Sequence, residues 1–180
     1  LRQVRVGHDD SCVVLPELRA ADNYLGAMTR AMECYATVPS EANVDQTPFE
    51  PAGGALPNRS AYEYTGAEAA GGFGMLQYDS FWGRVSQYPG GGFIDYLKVY
   101  NRSAGGLGRS AREAERLVAD LQAVSWIDGQ TRAVFVDCLF YNPSIGAFGA
   151  LRIHAEVLAA GGVVPSFSFA TIRPQYYQIA

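Results

Sequence analysis

Three cysteines, two histidines and a scatter of carboxylates are the residues from which reactive chemistry would have to be assembled in this chain. Cys12, Cys34 and Cys138 fit no zinc-ligand spacing, and adding His8 and His154 does not readily complete a tetrahedral set. His154 alternates with Arg152 and Glu156 in a strand-like segment, where a solvated or cross-strand-paired imidazole is expected. His8 sits in the polar turn His8-Asp9-Asp10-Ser11, so neither histidine is matched to a nucleophile. Asp79, Asp95, Asp128, Asp137 and Glu156 could supply a pair of carboxylates for glycoside chemistry, but no spacing selects two of them. Gly106-Leu107-Gly108-Arg109-Ser110-Ala111 matches the G-x-G-x-x-A turn of dinucleotide sites, and Asp128 falls 20 residues after Gly108. The ribose-binding acid of such a site closes the second strand, whereas Asp128 precedes a strand. The sequence is therefore read as non-enzymatic, with no cofactor and no metal.

The chemistry that remains is that of an extracellular or lumenal surface. Two acceptor sites for Asn-linked glycans, Asn58-Arg59-Ser60 and Asn101-Arg102-Ser103, fall in turn-like sequence, while Asn142-Pro143-Ser144 is blocked by its proline. Cys12 and Cys34 lie in polar surroundings and Cys138 in an apolar run, a division that suggests one disulfide and one buried thiol.

The element that must position the rest is Trp126 to Pro143. It joins a helix to an almost wholly apolar run, Ala133 to Tyr141, with the β-branched and aromatic content of a buried strand. Val134, Val136, Cys138 and Phe140 would share one face, and only Asp137 interrupts the other. Such a strand is expected in the middle of a sheet with both sides covered. Trp126 is expected to cap the core, Asp128 to accept from turn amides, and Arg132 to pair with Asp128 or another acid.

Before it, Ser110 to Glu113 forms a capping box, and Ala114, Leu117, Val118 and Leu121 continue the stripe of a helix from about Ala111 to Ala123. After it, Phe148–Leu158 alternates Leu151, Ile153, Ala155 and Val157, expected buried, with Arg152, His154 and Glu156, expected wet or paired across strands. Phe167, Phe169 and Thr171 alternate again beyond a glycine turn, which completes an antiparallel meander. Upstream, Leu1–Val6 reads as a short edge strand, part of 17–34 as a helix, 36–54 as an irregular loop and 61–65 as a strand. The class is α+β: an antiparallel sheet packed against a few helices, with long irregular excursions.

At 180 residues the chain is read as one domain, 1–180. Hydrophobic residues at 48% and charged residues at 18% exclude a disordered chain, and a net charge of −4 without a basic run excludes a nucleic-acid partner. Lacking an initiator methionine, a signal peptide or a long apolar window, it reads as a piece of a longer protein.

Several runs resemble the polycystin family of transient receptor potential cation channels. They are Leu1–Val6, Glu33-Cys34-Tyr35, Pro57–Tyr62, Tyr88–Phe93, Trp126–Asp137 with Tyr141–Pro143, and Ala159–Phe167. They occur in the family's order and span nearly the whole chain, leaning towards polycystin-2-like members. The chain departs from the family pattern at Glu156-Val157-Leu158, where the family carries glutamate, phenylalanine and proline, at a longer Pro16–Met32 and at a glycine-rich 102–109.

The resemblance implies an extracellular or lumenal domain inserted between the first two transmembrane helices of a calcium-permeable channel, in the ciliary or plasma membrane. Four copies would form a lid over the pore, with neighbouring subunits and the channel's own transmembrane helices as partners. It also implies a Cys12–Cys34 disulfide and a glycan at Asn58. That bridge would close a loop of about 23 residues, worth roughly 3 kcal/mol. The excursion from Gly71 to Gly106, without an evident partner in its own domain, is expected to dock on the next subunit and so serve assembly and gating. A secreted or cell-surface module binding glycans or proteins through exposed rings is the alternative.

Overall fold

The computed structural model describes residues 1–9, 34–40, 42–49, 62–67, 80–96 and 107–173. The helix expected over 17–34 falls almost wholly outside them. So do Cys12, Asn58, Asn101 and both ends of the 71–106 excursion.

Length and composition make three strands dominant. β6 (Thr131–Asn142), β7 (Ala147–Val157) and β8 (Val163–Ile172) are rich in β-branched and aromatic residues. They pair in sequence, with Val134 opposite Ala155 and Ile153 opposite Phe167. Gly146 (φ 58°) closes the first turn. Gly161 (φ 92°) and Gly162 (φ 99°) close the second, in left-handed conformations that a Cβ would strain.

Shorter strands precede them, among them β1 (Arg2–Arg5), β2 (Tyr64–Thr65), and the separate hairpin of β3 (Ser80–Trp82) and β4 (Gln87–Pro89). With β5 (Gly92–Ile94), the main sheet is antiparallel in the order β2-β5-β1-β6-β7-β8. β1 is therefore central and not an edge. Its long polar side chains tolerate burial by reaching backbone carbonyls and facing side chains. Arg2 Nη1 donates to Pro89 O (3.0 Å) and Gly90 O (2.5 Å), and Gln3 Nε2 donates to Trp126 O (2.9 Å). Burial lowers the Arg2 pKa to about 10, still a cation at neutral pH.

One helix is present among the described residues, α1 (Leu107–Ala123). The described residues are thus predominantly β, with one helix where a few were expected. α1 begins before Ser110, so the capping-box sequence lies inside the helix rather than at its start. Its end is a Schellman turn: Ser125 N donates to Gln122 O (3.1 Å) and Trp126 N to Leu121 O (3.0 Å), with Ser125 left-handed at φ 54°. Leu121 and Trp126 meet in the core, the apolar contact that accompanies this motif. Leu117, Leu121 and Val124 face inward, while Val118, expected in the stripe, is exposed.

Two cores sandwich the sheet. Tyr62, Phe93, Leu117, Leu121 and Trp126 pack on one side, and Val134 joins them. Val4, Tyr88, Ala133 and Phe135 pack on the other, beneath the β3–β4 hairpin, where Phe81 meets Phe135 edge-on at 5.4 Å.

Candidate functional site

The helix-to-strand connector is a hub of cross-chain bonds. Trp126 is buried, as expected. The Asp128 carboxylate accepts from Arg5 Nη1 (2.6 Å), Gln130 N (3.1 Å) and Thr131 Oγ1 (3.1 Å), and Arg5 Nη2 also donates to Gln130 Oε1. Arg5 lies over Phe49, 3.8 Å from the ring centroid. Arg132 does not complete an ion pair with Asp128. It donates Nε to Ala36 O (3.0 Å) and Nη1 to Gly129 O (2.8 Å) and Thr131 O (3.0 Å), fastening the loop after Cys34 to β6. Arg5, on a strand far away in sequence, is the acid's partner instead.

β6 is central but not covered along its length. Thr131 to Ala133 and Phe135 are buried and Val134 is half-buried. Val136, Cys138 and Phe140, expected in the core, are exposed. Cys138 is a free, exposed thiol rather than a buried one. The reason is that α1 covers the face only as far as Val134, and nothing described packs beyond it.

On β7 the row expected to be wet or paired across strands is the buried one, and Arg152 makes the expected cross-strand pair, with Asp137. Arg152, His154 and Glu156 are buried, whereas Ile153 is exposed. The turn of the β3–β4 hairpin carries backbone amides directed at one point, and Glu156 fills it. Its carboxylate accepts from Arg84 N (2.8 Å), Val85 N (3.0 Å), Ser86 N (3.3 Å) and Tyr88 Oη (3.0 Å). Burial alone would raise this pKa, but the bonds from Val85, Arg84, Tyr88 and Ser86 outweigh it and hold the group below the ordinary glutamate range. Desolvation, and the hydrogen bond Tyr88 gives Glu156, push the phenol up. A Cβ on Gly83 would collide with the Glu156 carboxylate, which fixes glycine at that turn.

His154 is wedged between Phe135, stacked at 5.8 Å, and Phe81, edge-on at 4.8 Å, and burial lowers its pKa. Arg152 donates Nε to Asp137 Oδ1 (2.6 Å) and Nη2 to Asp137 Oδ2 (3.1 Å). This buried polar row is a clamp: Glu156 holds the hairpin and Arg152 holds the neighbouring strand. Among the described residues no three His, Cys, Asp or Glu side chains form a group that could hold a metal.

The hairpin also changes the reading of residues 71–106. Its described middle has partners in its own domain, since Phe81 and Tyr88 pack on Phe135 and β5 lies within the sheet. What stands open is the opposite face of β6, β7 and β8. Register aligns Val136, Ile153 and Phe167 in one row and Cys138, Leu151 and Phe169 in the next. Phe140 stacks on Phe169 at 5.8 Å, and a Cβ on Gly149 would collide with the Phe140 ring. Phe167 is 77% exposed and Phe169 56%. The alternation of β8 was legible in sequence, but neither this exposure nor the Glu156 clamp was. The one available signal for the clamp was the family glutamate at position 156.

A family model described as Polycystin domain matches residues 1–173. Polycystin-2 of Danio rerio is 33% identical over 173 residues, covering 96% of this chain and 16% of that protein. Polycystin-2-like protein 1 of Homo sapiens is 35% identical over 173 residues, covering 96% of this chain and 18% of that protein. Polycystin-1 of Homo sapiens is 30% identical over 93 residues, 52% of this chain and 2% of its own length. The chain thus spans about a sixth of the length of the two polycystin-2 relatives.

Proposed function

The chain belongs to the polycystin domain family, and from that premise we propose that it is the extracytosolic lid domain of a calcium-permeable, polycystin-type cation channel, with a role in assembly and gating. Neighbouring subunits and the channel's own transmembrane helices are its partners, in the plasma or ciliary membrane. Among the described residues no helix is long and apolar enough to cross a membrane. The proposal places the spanning segments elsewhere in the protein.

The observation that carries this reading is the open face of β6, β7 and β8. A contiguous apolar surface of this kind marks a contact site. Membership of the family makes an adjacent subunit the occupant. Gating would follow because the face is continuous with the rigid sheet: a contact that differs between two arrangements of the lids biases whichever pore state goes with each.

A Cys12–Cys34 disulfide and glycans at Asn58 and Asn101 belong to the same proposal. The bridge is supported by the fold around Cys34. Asp9 N donates to Cys34 O (2.9 Å) and His8 bridges to Tyr35, so Cys12, three residues beyond Asp9, is within chain reach of Cys34.

The test is a Phe167→Glu/Phe169→Glu double variant of the full-length channel, with Val118→Glu on exposed α1 as control. The tetramer fraction in native extracts and whole-cell current are measured. The double variant is expected to lose both and the control neither. A double variant that assembles and conducts like the wild type sinks the reading.

A further inference from the structure

A groove of about 420 Å³ lies on the clamp side of the sheet, between β3 and the β7–β8 pair. It opens on the face opposite the proposed subunit contact, and of the residues named for that contact only Phe169 also borders it. Its floor is laid by register. Asp137, Arg152 and Ser168 form one cross-strand row, and Leu139, Ala150 and Ala170 form the next. One row is polar and the other apolar, and Ala150 and Ala170, which line the groove, are small where larger side chains would fill it. Ser80, Phe81 and Trp82 make the wall, and Trp82 is 73% exposed, an indole that nothing described covers.

The polar groups are held in place before any ligand arrives. The Arg152–Asp137 pair is bidentate, with Arg152 buried and the Asp137 side chain about one-third exposed (32%). Ser80 Oγ accepts from Gln87 Nε2 at 2.7 Å, which leaves its own proton to donate. Along the same strand faces, His154 Nδ1 and Ser166 Oγ are buried without a hydrogen-bond partner. The floor therefore offers donors and acceptors of both kinds while the paired charges nearly cancel, so it makes no demand for an ionic ligand.

A concave site with a few fixed polar groups, a small apolar strip and an exposed aromatic at the rim fits a ligand whose one side is hydroxylated and whose other side is C–H. We propose that this groove is a saccharide subsite: a pyranose ring packs its C–H face on the strip bounded by Trp82 and Ala170 and turns its hydroxyls to Ser168, Ser80 and the Arg152–Asp137 pair. The saccharide is either a free or matrix-borne glycan or an Asn-linked glycan of the channel itself. The inference stands independently of the channel reading, because binding is scored without current or assembly.

The experiment applies a saccharide array, followed by titration of the hits, to the full-length protein in lipid nanodiscs. Its Asn-linked glycans are left intact in one arm and removed enzymatically in the other. Trp82→Ala deletes the rim indole, and Ala170→Trp, at an exposed position of β8, fills the groove. Both are expected to keep wild-type surface delivery and thermal melting, and Ser168→Tyr replaces either that does not. A hit weakened about tenfold or more by both substitutions, the scale of one stacked aromatic, supports the subsite. Binding in both arms identifies an external glycan, and binding only after deglycosylation identifies the protein's own. No hit in either arm, or a hit that either variant retains, overturns the proposal.

Discussion

Glu156→Gln tests the clamp with almost no change of shape. The carboxylate is fully buried, with Oε1 accepting from Val85 N, Ser86 N and Tyr88 Oη and Oε2 accepting from Arg84 N. Glutamine keeps one oxygen. Placed at the Oε1 position, it preserves three bonds in weaker, uncharged form, and its NH₂ group then confronts the Arg84 amide. A hydrogen bond to a charged group contributes about 1.5–3 kcal/mol against about 0.5–1.5 kcal/mol for a neutral one, and an orphaned buried amide costs about 1–3 kcal/mol. Relief from burying a charge offsets part of this loss. The net destabilisation is therefore about 2–4 kcal/mol, or about 5–15 °C in Tm for a domain of this size.

Amide hydrogen exchange reads the site directly. Arg84, Val85 and Ser86 amides, protected in the wild type, should exchange fast in the variant, while amides of the β6–β7 ladder stay protected. Because the folded-state pKa of Glu156 lies below its unfolded value, the clamp's contribution is complete above the ordinary glutamate range. It is lost only as pH falls through the depressed folded value. Wild-type hairpin amides should therefore stay protected at neutral and mildly acidic pH. If Glu156→Gln melts within 0.5 kcal/mol (an order-of-magnitude tolerance) of the wild type and keeps those three amides protected, the hairpin is held by its apolar contacts and the reasoning fails.

Two further outcomes follow from single residues. His154 has a lowered folded pKa, set by burial and modulated by Glu156, Arg152, Arg84 and Asp137, so the unfolded chain binds a proton that the folded one refuses. Stability should fall as pH drops below the ordinary histidine value of about 6.5, with a limiting slope of about 1.4 kcal/mol per pH unit. Denaturant titrations should show this slope diminished in His154→Phe, and an unchanged slope would assign it to other groups. Ser125, left-handed at the end of α1, bears a Cβ cost that glycine would remove. Ser125→Gly is expected to stabilise by about 0.5–1 kcal/mol, and a lower Tm would mean that the serine side chain has a role of its own.

The hub at Trp126 to Arg132 illustrates how far local pattern reaches. The sequence placed Trp126 in the core and Asp128 in a turn, since an indole after an amphipathic helix and an aspartate before Gly-Gln-Thr have few other stable settings. It could not name Arg5 as the partner of Asp128, because that contact joins β1 to a connector 123 residues further along the chain. Arg132 Nε likewise reaches the carbonyl of Ala36, in a loop that only the tertiary structure brings to it.

The sequence by itself determined the three-strand meander, the helix ahead of it, the absence of a spaced catalytic set and the family resemblance, because turn residues, periodicity and motif order are local properties. Period two also told which residues of β7 share a face. Which face would be buried was decided elsewhere. The β3–β4 hairpin brings three amides and a phenol to Glu156, and those bonds make burial of the charged row favourable. α1 stops short of the far half of the opposite face, so Ile153, Phe167 and Phe169 are left exposed. Side-chain alternation is written along a strand, but the cover over each side comes from distant segments, and only the tertiary structure sets it.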